Sequence, residues 1–124
     1  MNISVSEDQK IISWKQDDLE VKIEFTKPIF QAVFSEIINS IIIIPDYREV
    51  GVNNFIIYSK EGFVVARPRL PKLQSKVRGV YCIWYVEGQE NQTIVLSTED
   101  KNDYDTKCTV NLLDFSFSNI SLTK

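Results

Sequence analysis

The side chains able to do chemistry in this chain are few, and their spacing works against most of it. No histidine occurs in the 124 residues. That removes the commonest general base, nucleophile-orienting group and transition-metal ligand. Two cysteines, Cys82 and Cys108, sit in strand-like apolar runs with no imidazole to activate either thiol. They read as reduced, buried, structural residues, and two isolated thiols fit a four-ligand zinc site poorly. The candidate carboxylate pairs for acid–base work, Asp17-Asp18 and Glu99-Asp100, are sequence neighbours in turn-like stretches. Solvated acids are the rule there, not the opposed pair that glycoside hydrolysis requires.

The acidic run Glu99-Asp100-Lys101-Asn102-Asp103-Tyr104-Asp105 suggests calcium at first sight. A calcium loop of the helix–loop–helix type needs Gly at its sixth position and Glu at its twelfth. Counted from Asp100, those positions hold Asp105 and Asn111. The pattern fails. No Gly-rich phosphate loop, Gly-x-Ser-x-Gly elbow or Cys-x-x-Cys pair occurs either, and the four glycines leave little from which to build a nucleotide cradle. The expectation is a non-enzyme with no catalytic residues, no metal and no cofactor.

What remains is an asymmetry of charge. From Lys60 to Arg78 six basic residues face one acid, and from Gly79 to Thr106 six acids face one base. Two candidate partner-binding sets follow. The basic one is Arg67, Arg69, Lys72, Lys76 and Arg78, on a stretch whose prolines favour an extended, pre-ordered loop. The acidic one is Glu99, Asp100, Asp103, Tyr104 and Asp105, in which clustered carboxylates would speed encounter with a basic partner and a tyrosine would anchor it. The plainer alternative is that the two loops form weak surface pairs with each other. A net charge of −3 and the absence of exposed aromatic alternation beside the basic loop argue against nucleic acid.

The elements that must position these loops are legible in part. Ile11–Lys15 reads as a short strand and Leu19–Phe25 alternates apolar and charged residues, with a turn at Gln16-Asp17-Asp18 between them, which predicts a β-hairpin with one solvated face. Ile29, Phe30, Val33, Phe34, Ile37, Ile38, Ile41 and Ile42 recur as adjacent pairs every four residues. That spacing predicts one amphipathic helix from Pro28 to about Ile43, with Thr26 as N-cap and Pro45 as terminator. Phe55–Ser59 and Phe63–Arg67 predict a hairpin about Lys60-Glu61-Gly62. Val77–Val86, apolar on both faces, reads as a central strand paired with Thr93–Thr98. Cys108–Leu113 and Phe115–Leu122 close the chain as further strands.

The expected fold is therefore α+β: a single domain, residues 1–124, with the helix packed on a mainly antiparallel, curved sheet of about six to eight strands. Pairing of Val77–Val86 with Thr93–Thr98 would bring the basic and acidic loops to the same end of that sheet. At 124 residues the chain can bury roughly two-thirds of its unfolded surface without staples. No apolar run reaches the length of a membrane span, the first residues do not read as a secretory signal, and the thiols suit a reducing compartment. A cytoplasmic, membrane-free protein of open oligomeric state is expected.

Small acidic domains without catalytic or cofactor motifs are usually binders. The favoured reading is a non-catalytic protein-binding domain, of the kind of a bacterial immunity protein that inhibits a cognate toxin by occluding its active site. Two alternatives are kept. One is a small-molecule or lipid-binding module with a pocket between helix and sheet, lined by Trp14, Trp84, Tyr81, Tyr85, Phe115 and Phe117. The other is a phage or secretion-apparatus adaptor offering an edge strand such as Phe115–Leu122.

Overall fold

A computed structural model describes residues 1–99 and 105–123. Within them the chain is almost entirely antiparallel β-structure, in three sheets. The first is ordered β1-β2-β3, from β1 (Ser4–Val5), β2 (Ile11–Gln16) and β3 (Leu19–Glu24). The second, ordered β4-β5-β6-β7, comprises β4 (Gln31–Ser35), β5 (Ser40–Ile44), β6 (Ile56–Tyr58) and β7 (Val64–Ala66). The third is ordered β11-β10-β9-β8, from β8 (Val77–Trp84), β9 (Asn91–Thr98), β10 (Asp105–Asn111) and β11 (Phe117–Thr123). One helical turn, α1 (Tyr47–Val50), interrupts the β5–β6 connection.

The second sheet is the middle layer of a three-layer stack. Ile42, Ile44, Phe55 and Ile57 on one face share a core with Val80, Ile83, Ile94, Leu96, Cys108 and Val110 of the third sheet. Ile41, Ile43, Ile56 and Tyr58 on the other face pack with Ile12 and Trp14 of the first. A strand covered on both sides needs an apolar residue at every position rather than at alternate ones. The run Ile41-Ile42-Ile43-Ile44, all buried, meets that need.

This overturns the expected α+β architecture and its helix from Pro28 to Ile43. The region is instead the β4–β5 hairpin, with Val33 opposite Ile42 and Phe34 opposite Ile41. The paired apolar residues arise because β5 buries both faces and β4 partly buries both. The polar residues that interrupt this stretch are strand ends and turn: Ser35 pairs with Ser40 across Glu36-Ile37-Ile38-Asn39. Asn39 takes the left-handed conformation, φ 50°, that closes the four-residue loop. Ile and Val lose side-chain freedom in a helix and pack well on a pleated sheet, so residue type favours the strands that period alone misread.

Other local readings hold. Asp17 and Asp18 are the two-residue turn of the β2–β3 hairpin, both at positive φ, as a turn with the right twist requires. Gly62, φ 96°, closes the β6–β7 turn. The Val77–Val86 strand, read as central, is an edge: β8 ends the third sheet. Its register shifts between Val80 and Cys82, so Val80 and Ile83 both enter the core while Tyr81 and Trp84 face solvent. A strict period of two cannot survive a bulge.

Candidate functional site

The edge of β8 is closed by side chains rather than by another strand. The Asn54 carboxamide donates to the Pro45 carbonyl at 2.7 Å and to the Val80 carbonyl at 2.9 Å, and accepts from the Val80 N–H at 2.6 Å. Gln31 repeats the arrangement, accepting from the Ile83 N–H at 2.9 Å and donating to the Ile83 carbonyl at 3.0 Å. Each amide presents the donor–acceptor pair of a peptide group, so two side chains do the work of a neighbouring strand. The fit at Asn54 depends on Gly79, where a Cβ would lie 2.7 Å from Tyr47 Cβ and 2.8 Å from Asn54 Oδ1. These two amides, which tie the third sheet to the middle one, were not singled out from the sequence.

The N-terminal end of β8 receives the basic segment. Residues 67–76 have no regular secondary structure, yet they are held at several points. The Arg67 guanidinium donates to the carbonyls of Asn53 (2.7 Å) and Val50. Asn53 Oδ1 accepts from the Leu70 N–H at 3.0 Å, and the Leu70 side chain is buried in the core. At the far end the Lys76 carbonyl accepts from the Glu99 N–H at 2.9 Å. Two prolines, Pro68 and Pro71, restrict the remaining backbone.

The five basic residues therefore divide. Arg67 is consumed by the carbonyls of Val50, at the end of α1, and Asn53, in the α1–β6 connection. Lys76 lies 3.9 Å from the Glu99 carboxylate, both well exposed, a pair of little energetic weight. Arg69, Lys72 and Arg78 are exposed and form no ion pair among the described residues. Of the acidic set, Glu99 is described and meets Lys76, which places the start of the acidic run beside the end of the basic one. Asp105 contributes its main chain to β10, opposite Thr123. Asp100, Asp103 and Tyr104 lie outside the described residues.

Between the basic segment and the body of the protein opens a cleft of about 390 Å³. Val52, Leu70, Pro71, Leu73 and Val77 supply apolar wall, and Arg69, Lys72 and Lys76 stand around it. A larger hollow of about 510 Å³ at the N-terminus, lined by Met1, Asn2, Ser4, Ser13, Trp14, Lys15 and Glu20, joins no such apolar wall to a cluster of cations. A third, of about 340 Å³, lies over Phe30, Tyr81 and the Asp46–Arg48 pair. There the Arg48 guanidinium bonds both carboxylate oxygens of buried Asp46, which holds the Asp46 pKa below the ordinary range despite the opposing effect of burial. That arginine is already satisfied.

The aromatic residues expected to line a pocket under a helix do not converge on one. Trp14 is in the core between the first and middle sheets, Tyr85, Phe115 and Phe117 pack against the other core, and Tyr81 and Trp84 are exposed. Burial pushes the Cys108 thiol up to about 11, so a thiolate is scarce at neutral pH. Among the described residues no three of His, Cys, Asp and Glu converge to hold a metal ion, and no helix is long and apolar enough to cross a membrane. Comparison with protein-family models, curated proteins and solved structures returns no match, so the site stands on its own geometry.

Proposed function

We propose that this chain is a non-catalytic protein-binding domain whose docking face is the end of the stack where residues 67–76 meet β8 and the close of β9. One observation carries the reading. A ten-residue stretch without secondary structure is pinned through Arg67, Leu70 and Lys76, while Arg69 and Lys72 project from it without an ion pair among the described residues. A loop whose ordering cost is met in the free protein is suited to recognition, because little further entropy is lost on binding.

The described part of this face is cationic with an apolar floor, which favours an acidic surface on the partner. An inhibitor of the immunity-protein kind, blocking a toxin by occlusion, is one form such a binder takes. For a basic toxin domain its contacts would fall to the acidic run instead. The test is comparative affinity capture from the native host with three proteins: the wild type, Arg69→Glu/Lys72→Glu, and a control reversed on the exposed face of β3, Glu20→Lys/Lys22→Glu. The expected result is a discrete partner retained by wild type and control and lost from the double variant. Equal retention by all three would remove this face from consideration.

A further inference from the structure

We infer that the cleft beside residues 67–76 receives one large apolar side chain from an extended acidic segment of a partner protein, whose flanking carboxylates meet Arg69, Lys72 and Lys76. The inference rests on the binding-domain reading above and names the chemistry of its partner. Three features of the cleft lead to it.

The floor is apolar and pre-formed. Leu70 is buried in the core, and Leu73 and Val77 pack against the same cluster. They are fixed by the fold rather than by a ligand. Val52, 42% exposed, forms an accessible part of the wall. At about 390 Å³ and open to solvent, the cleft is more than large enough for one Leu, Phe or Trp side chain. An alkyl chain long enough to bind well would need an enclosed tunnel instead, so an amphiphile is the poorer occupant.

Among the described residues the surroundings are cationic. Arg69 and Lys72 have no ion pair among the described residues, and the Lys76 contact with Glu99 is long and solvated. An apolar residue alone would gain nothing from these groups. A segment carrying carboxylates on either side of its apolar residue would use them all. The segment that bears the cations is also fastened, so the complementary charges meet a fixed array rather than a flexible tail.

The experiment uses the full chain and fluorescein-labelled ten-residue peptides read by anisotropy. The reference peptide has a central Leu with two Asp or Glu on each side. Three analogues replace the Leu by Ser, the acids by Asn and Gln, or the acids by Lys. Saturable binding of the reference is expected, weakened at least about tenfold in each analogue and falling steeply as salt is raised. Arg69→Glu/Lys72→Glu should lose at least about tenfold for the reference. Val52→Asp, at an exposed wall position that leaves the core intact, should lose a similar factor.

No saturable binding of the reference, or equal binding of the Ser analogue, overturns the inference. So does saturable binding of a fluorescent fatty acid, lost in Val52→Asp, by a protein that ignores every peptide. If affinity capture depends on Arg69 and Lys72 while the reference peptide fails, the binding-domain reading survives and only this partner chemistry is lost.

Discussion

Replacing Asn54 by alanine removes one side chain and strands three main-chain groups. The carbonyls of Pro45 and Val80 and the N–H of Val80 all bond to this carboxamide, which is 0% exposed. An unsatisfied buried polar group costs about 1–3 kcal/mol. Water entering the vacated space would recover part of that, which leaves roughly 3–5 kcal/mol for the three groups together. Gln31→Ala strands only the N–H and carbonyl of Ile83, at a half-buried position that water reaches, so about 1–2 kcal/mol is expected. Urea denaturation followed by tryptophan fluorescence measures both. With a slope of about 1–3 kcal/mol per molar, the Asn54 variant should lose roughly 2 M in midpoint. Asn54→Asp adds a second signature. It would set a carboxylate against two carbonyls, raising its folded-state pKa, so the variant should lose stability as pH rises above the unfolded value of about 3.9. If Asn54→Ala cost no more than Gln31→Ala, the idea that these amides stand in for a strand would be wrong.

Further consequences can be checked with simple variants. Gly79→Ala should destabilise by about 1–3 kcal/mol, because its Cβ would press on Tyr47 Cβ and Asn54 Oδ1; an unchanged melting midpoint would refute the close approach. Asp46 has its pKa lowered chiefly by the Arg48 hydrogen bond, so its contribution is present above the unfolded value and is lost as pH falls through the folded one. The stability difference between wild type and Asp46→Asn should shrink over that acidic range and stay constant near neutrality. Cys108, buried and with its thiol pushed up to about 11, should resist iodoacetamide at pH 8 in the native protein and react once it is unfolded. Mass spectrometry of the digested protein reads the outcome.

The hairpins could be read from the chain because their signals are local. Asp17-Asp18 and Gly62 punctuate runs whose periodicity changes sharply at the turn, and the structure places them at positive φ. The β4–β5 hairpin is not legible in the same way because its periodicity fits two kinds of element. Pairs such as Phe34 with Val33 and Ile41 with Ile42 serve a broad helical stripe and a two-sided strand equally well. The β-branched run at Ile41–Ile44 and the polar interruption at Ser35–Ser40 were the better guides. For the site, composition picked out the charged segments but could not divide them. Arg67 and Arg69 look alike in sequence; one is spent on the carbonyls of Asn53 and Val50 and the other projects beside the cleft. Asn54 carried no signal, since its role depends on Val80, 26 positions away.

The amino-acid sequence by itself determined the missing imidazole chemistry, the turns, the strand-forming stretches and the charge asymmetry between residues 60–78 and 79–106. Each of these is a property of residue type or of near neighbours. Only the tertiary structure decided that the isoleucine run lies between two sheets, that β8 is an edge closed by two amides, and which of the five cations lose their freedom. Those outcomes depend on which surfaces meet across the three layers. Burial on two faces, a bulge that resets alternation and an amide bonded to a distant strand all couple residues far apart in the chain. Of the two charged loops, the basic one resolves into an apolar cleft with Arg69, Lys72 and Lys76 around it.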